Sequence, residues 1–266
     1  MLRLPTAAAC LVLTAGATAA LAFPGGTVQA PDCATCHKLT LDEVRGLLAP
    51  LVDGVLAVRP SRVPGFWDVD VQKQGRKIPV SLDVGLRYLV TGEVIDIRTM
   101  ESLTRDRMID LNRVDASLIP LDDAIVIGDP NAPVKIVVFD DPECPFCQKL
   151  HPEMKAAAAQ RPEVAFFIKM LPLKMHPDAA RKSRAIICAK SAQMLEDSLA
   201  GKPIPDPTCE TDQVEKNEAL AQRLGIGSTP TLVYPDGRVV PGYRTADKIL
   251  ALVGERESQS AGKAQK

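Results

Sequence analysis

The sequence is short of three things. It has almost no net charge: 32 basic and 33 acidic residues leave −1 at pH 7. Without a basic field to hold a polyanion, nucleic acid is set aside as a partner. It has little histidine. Only His37, His151 and His176 occur, so a zinc site built on any one of them would need further ligands. It also lacks a membrane span, because the apolar run Ala7 to Ala20 falls below the ~20 residues needed to cross a bilayer. Aromatics are few, at 4%. What is present is 46% hydrophobic residues over 266 positions, enough for two modest domains with a proper core.

The first 22 residues read as a secretory signal. Arg3 supplies a positive start, the apolar run follows, and Ala20-Leu21-Ala22 offers small residues for cleavage before Phe23. Cys10 is expected to leave with that segment. Six cysteines remain: Cys33, Cys36, Cys144, Cys147, Cys188 and Cys209. An even number in an exported chain points to an oxidising compartment.

Val134 to Phe139 is a β-branched and aromatic run that reads as a buried strand. A short acidic turn follows, and Cys144-Pro145-Phe146-Cys147 then opens a helix. A Cys-x-x-Cys pair at a helix start after a strand is the setting of thiol–disulfide chemistry. Cys144 is the expected nucleophile, since free backbone N–H groups and the helix dipole favour a thiolate at that end. Pro145 suits the first helical turn because its missing N–H is no loss there. Cys147 is the expected resolving thiol. Asp140, Asp141 and Glu143 would oppose the thiolate wherever they face the sulfur. His151 and His176 read as packing or tuning residues outside the catalytic set.

A second pair, Cys33-Ala34-Thr35-Cys36-His37, has the spacing of c-type haem attachment, two thiols for the vinyl groups and a histidine for the iron. Three readings stay open for Cys33, Cys36 and His37: covalent haem, a local disulfide or second dithiol, and a metal half-site. The disulfide or dithiol reading stands ahead of haem. No cofactor is required for the chemistry at Cys144, and no metal site is expected.

In chain order, Leu39 to Leu51 reads as an amphipathic helix with Thr40 as N-cap and Glu43 closing a capping box. Short β-like runs separated by Gly75, Gly85 and Gly92 occupy Val55 to Arg98. Residues 101–116 read as a charged helix serving as a semi-rigid spacer. Val164 to Met170 is a strand, Pro177 to Leu199 a long helical region, and Asp212 to Leu224 a helix. Pro235-Asp236-Gly237 joins two strands as a hairpin, and Thr245 to Val253 is a last helix. The expected domains are a 23–100 module of dimerisation type, a 101–127 linker helix and connector, a 128–254 catalytic domain, and a polar tail at 255–266.

Several stretches together resemble the DsbC/DsbG family of periplasmic thiol:disulfide interchange proteins. They are Val137-Val138-Phe139-Asp140-Asp141, Cys147-Gln148-Lys149-Leu150-His151, Cys188-Ala189-Lys190, Ala200-Gly201-Lys202, Cys209, Leu224 to Pro230, and Val240-Pro241-Gly242-Tyr243. The match covers most of residues 130–254 in order; over 40–100 only the layout is shared. The resemblance implies an α/β (α+β) chain: a C-terminal thioredoxin fold with inserted helices, joined by a linker helix to a small N-terminal α+β dimerisation domain. It also implies a V-shaped homodimer in the periplasm. Misoxidised or unfolded exported proteins would be its substrates, and a DsbD-like membrane thiol reductant its electron source. Thr229-Pro230 would be a cis bond beside the nucleophile and a substrate-binding element. Cys188 and Cys209, 21 positions apart around a proline-rich loop, read as a structural disulfide contributing roughly 3 kcal/mol through loop closure. One departure is Pro145-Phe146 between the cysteines, which resembles the DsbG branch. It keeps open a reductase or chaperone that protects single cysteines. The Cys33–His37 motif is the other departure, and a haem-bearing redox carrier is the alternative it raises.

Overall fold

A computed structural model describes residues 38–253. The first helix, α1 (Leu41–Leu48), starts at Thr40, whose hydroxyl accepts the Glu43 N–H at 3.3 Å while Glu43 accepts the Thr40 N–H at 2.8 Å. Its apolar face buries Val44 and Leu48 against an antiparallel sheet. That sheet has the order β1 (Gly54–Pro60), β2 (Phe66–Lys73), β3 (Arg76–Asp83), β4 (Leu89–Val90). Period-two alternation puts Trp67, Val69 and Val71 into one core with Val80 and Leu82. Asp70 is nonetheless only 1% exposed. Arg59 grips it with bonds of 2.8 and 3.1 Å, and Arg107 grips it from the next helix. Burial pushes the Asp70 carboxyl up, but the two guanidiniums outweigh it and hold the group below the usual carboxylate range.

The charged helix expected over 101–116 is shorter. Ile95–Asp96 (β5) and Glu101–Ser102 (β6) form a small hairpin, and the helix α2 runs only over Leu103–Leu111. Ser102 caps its start by accepting the Arg105 N–H at 3.2 Å. Asn112 ends it by donating to the carbonyls of Met108 and Lys77. Arg107 and Asn112 thus dock α2 on the sheet.

The connector docks in turn on the later hairpin. Val114 donates to the Gly237 carbonyl at 2.8 Å. Gly237 has φ +86°, and a Cβ there would lie 2.1 Å from the Val114 carbonyl oxygen, so only glycine fits this contact. Ile125–Ile127, which sequence reading left in the connector, is the edge strand β7 of a second sheet.

That sheet has the order β11 (Val239–Pro241), β10 (Thr231–Val233), β8 (Val134–Asp140), β9 (Val164–Met170), β7. β8 and β9 are parallel and the other pairs antiparallel. β8 is buried on both faces, which explains its unbroken apolar run. Ile136 and Val138 pack with α3 (Pro145–Gln160), α4 (Ala179–Ala189) and α5 (Ala192–Leu199). Val137 and Phe139 pack on the other face with α6 (Gln213–Arg223). The long helical region expected over Pro177 to Leu199 is two helices. Lys190 takes the left-handed conformation (φ 46°), and Ser191 caps α5 by accepting the Met194 N–H at 3.1 Å. A final helix occupies 246–253.

Candidate active site

β8 ends at Asp140, and the chain turns once before α3. The Cys144 N–H closes that turn on the Asp141 carbonyl at 3.1 Å. Cys144 is the N-cap residue of α3, with extended φ/ψ and Pro145 next to it in the first turn. Its side chain makes no capping bond, so the N–H groups of the helix start are not tied up by it. Cys144 is 4% exposed and Cys147 fully buried; both are free thiols. Across the fold, Thr229-Pro230 is a cis peptide. The Cys144 thiol donates to the Thr229 carbonyl oxygen at 3.5 Å.

The two sulfurs are electrically unlike. The Cys147 thiol donates to the Cys144 sulfur; burial opposes the thiolate, but the N–H groups of Cys147 and Phe146 add to the Cys147 contribution. The Cys144 pKa falls to about 6. Burial pushes the Cys147 thiol far up, and its bond to Cys144 and the Asp140 charge push it the same way. Known Cys-x-x-Cys motifs span about 3.5 to about 7 at the attacking thiol, so Cys144 sits toward the upper end. The sign follows for stability. A pKa lowered on folding stabilises the folded dithiol above it, by about 1–2 kcal/mol at pH 7, and that contribution is lost as pH falls through about 6.

The acidic residues around the motif divide by direction. Asp141 accepts the N–H groups of Leu173 at 2.6 Å and Glu143 at 2.8 Å, and lies 2.8 Å from His176 Nδ1. Glu143 pairs with Lys182 at 2.7 Å and accepts the Asp178 N–H at 3.1 Å. Burial raises the Glu143 pKa, yet Lys182 outweighs it and the shift is downward. Both carboxylates are therefore satisfied as braces of the active-site loop, and opposition to the Cys144 thiolate from them does not arise. Asp140 alone turns to the dithiol, and it bears on Cys147.

Sequence reasoning left His151 and His176 outside the site, and both belong to its frame. His176 braces Asp141. His151, 2% exposed, lies one helical turn after Cys147 with Nε2 2.6 Å from Asp140 and Nδ1 3.0 Å from Glu196. Two signals were available: the i, i+4 spacing of Cys147 and His151, and the i+2 step from Val138 to Asp140 on one strand face. Phe146 is the apolar side chain left open at the motif, 55% exposed.

Residues 121–256 match the model of the thioredoxin-like domain, just over half of the sequence. The chain belongs to that family. It is 33% identical over 141 residues to the thiol:disulfide interchange protein DsbC of Salmonella typhimurium and 31% identical over 141 residues to that of Escherichia coli K12. Each match covers 52% of this chain and 58% of the relative, so the chain spans little more than half the length of these curated relatives. A crystal structure of a disulfide interchange protein from Neisseria gonorrhoeae overlaps 52% of this chain and 97% of that one, at 30% identity and a TM-score of 0.45.

Away from the dithiol, Cys188 and Cys209 form a disulfide, with Cα atoms 5.6 Å apart. It ties the end of α4 to the loop before α6. Cys33, Cys36 and His37 lie outside the described residues, as do the segments 1–22 and 255–266. Among the described residues no cluster of three metal-ligating side chains occurs, and no helix is long and apolar enough to cross a membrane.

Proposed function

We propose that this chain is a periplasmic thiol:disulfide interchange protein, a disulfide isomerase and reductase for misoxidised exported proteins. The observation that carries the reading is the asymmetric dithiol: a low-pKa Cys144 at a helix N-terminus, against the Thr229 carbonyl, with a buried Cys147 one turn behind it. The Cys144 thiolate attacks a substrate disulfide. One substrate sulfur leaves as a thiolate and the other stays bonded to Cys144. A substrate thiol then displaces Cys144 with a new pairing, which is isomerisation, or Cys147 displaces the substrate, which is reduction. Thr229 and Pro230 are the substrate-binding pair in this reading.

A homodimer supplies two such sites, and a DsbD-like membrane thiol reductant returns Cys144 and Cys147 to the dithiol. A chain of net charge −1 suits many unrelated clients. The exposed Phe146 after Pro145 favours, as the second reading, a DsbG-like reductase and chaperone that shields single oxidised cysteines. For Cys33, Cys36 and His37 we propose a second dithiol or local disulfide ahead of a c-type haem.

Acid trapping of whole cells followed by alkylation tests the reading pair by pair. Cys144 and Cys147 found reduced at steady state support the isomerase and reductase. The same pair found oxidised makes the protein an oxidase and overturns the proposal. The mass of the Cys33–Cys36 peptide in the same digest separates thiols, disulfide and haem.

A further inference from the structure

Most charged side chains around the dithiol are paired. Asp141 meets His176, Glu143 meets Lys182, Asp140 meets His151, and Glu196 meets Lys155. Lys149 and Lys174 are exposed and stand apart from this set. Neither ammonium makes an ion pair or a hydrogen bond among the described residues. Asp178, the carboxylate nearest in sequence to Lys174, starts α4 and pairs with neither lysine.

The fold brings both lysines to the end of the sheet that carries the nucleophile. β8 and β9 are parallel and end level, with Asp140 beside Met170, and β10 begins there too, with Thr231 beside Phe139. The segments 141–144, 171–178 and 225–230 therefore meet the sheet at one end. Lys149 lies three residues after Phe146 on α3, on the same face, with Nζ 5.6 Å from the ring centre. Lys174 sits on a tight turn. The His176 N–H donates to the Leu173 carbonyl at 2.9 Å, which leaves Lys174 and Met175 as its two central residues. The Asp141 carboxylate holds both ends of that turn, through the Leu173 N–H and the His176 ring. The Asp141 carbonyl also accepts the Cys144 N–H. One residue thus ties the Lys174 turn to the nucleophile. Each lysine stands next to an exposed apolar side chain, Phe146 at 55% and Met175 at 77%. The third segment, Gly225 to Pro230, contains no charged side chain.

We propose that Lys149 and Lys174 determine client choice: the site favours extended segments that carry a carboxylate and an apolar side chain close to the reacting cysteine. The inference rests on the thiol–disulfide reading of the site. A client carboxylate pairs with one of the two ammonium groups, and the neighbouring apolar side chain lies on Phe146 or Met175. The client disulfide is then held against Cys144. A client with basic residues at the same places meets like charge and is disfavoured. Both lysines are exposed, so the selection is graded and is screened by salt.

Short peptides with a Leu-Cys core, the cysteine disulfide-bonded to nitrothiobenzoate, test the proposal with the full-length reduced protein at pH 7. The Cys144 thiolate attacks the peptide sulfur. The bond between Cys144 and the peptide forms, the probe disulfide breaks, and nitrothiobenzoate leaves as a coloured thiolate. One peptide flanks its cysteine with glutamates and the other with lysines. Each rate is divided by that of the same peptide with mercaptoethanol, which removes the peptide's own reactivity. At low ionic strength the acidic peptide is expected to react about threefold faster or more, the scale of exposed charge pairs. Salt at about 0.5 M should bring the ratio close to one. The double variant Lys149→Gln with Lys174→Gln is expected to lose the preference, and Lys149→Glu with Lys174→Glu to reverse it. The ratio is read within each protein, so any change in the reactivity of Cys144 itself drops out. An equal or inverted ratio in the wild type, or a preference that survives the double glutamine variant, overturns the proposal. A wild type that releases no colour from either peptide overturns the thiol–disulfide reading itself, a separate failure.

Discussion

Cys144→Ser is expected to reduce refolding of scrambled ribonuclease to the level of the uncatalysed control. The size of the effect follows from ionisation. With a pKa of about 6, roughly nine-tenths of Cys144 is thiolate at pH 7, against a few per cent for a free cysteine. A serine hydroxyl is un-ionised at that pH, and Cys147 cannot substitute because it is buried and its thiol is pushed far up. Cys147→Ser keeps the first attack and should retain part of the isomerase activity, since a substrate thiol can complete the exchange. Catalysis by the Cys144→Ser protein close to that of the wild type would remove Cys144 from the mechanism.

Asp123→Ala is expected to be the most destabilising single change away from the dithiol, at about 3–5 kcal/mol by urea unfolding. Lys169 lies on β9 with its side chain fully buried. Its ammonium donates to Asp123 and, at 2.9 Å, to the Pro120 carbonyl. Asp123 also accepts from Asn217 of α6 at 3.3 Å, and Asn217 donates to the Met170 carbonyl at 3.1 Å. Removing Asp123 strands a buried cation with one carbonyl for company, the situation that costs most. Replacing both partners, Asp123→Ala with Lys169→Met, should recover much of the loss, because no buried charge is then left unpaired. A loss below about 1 kcal/mol for Asp123→Ala would mean that water reaches Lys169.

The parts of this fold legible in the sequence are those governed by local rules. The Thr40–Glu43 capping box, the alternation of Trp67, Val69 and Val71, the apolar β8 and the Pro235-Asp236-Gly237 hairpin each follow from neighbouring residues, and each stands in the structure. The misreadings come from contacts distant in sequence. The 101–116 helix stops early because Asn112 reaches Lys77, 35 positions away. Ile125–Ile127 is too short to announce itself and becomes a strand by pairing with β9. The helix break at Lys190 and Ser191 carried a serine cap signal that the surrounding apolar periodicity masked.

At the candidate site, Cys-x-x-Cys after a strand announced the dithiol, and the position of Cys144 at the helix start followed from Pro145. The directions of the nearby carboxylates did not. Asp140, Asp141 and Glu143 are near neighbours with three different fates, one turned to Cys147, one to His176 and one to Lys182. Those partners lie up to 39 positions away. The frame residues His151 and Glu196 come from two helices; His151 meets Asp140, and only the fold brings Glu196 to His151, 45 positions away.

The central claim is that Cys144 is the attacking thiolate and Cys147 its protected partner. Alkylation of the reduced native protein with iodoacetamide across pH 4 to 9, with the modified cysteine identified by peptide mass, tests it most directly. The rate is expected to rise with an inflection near pH 6, with Cys144 carrying the label and Cys147 unmodified. An inflection at the free-cysteine value of about 8.5, or first labelling at Cys147, would contradict it.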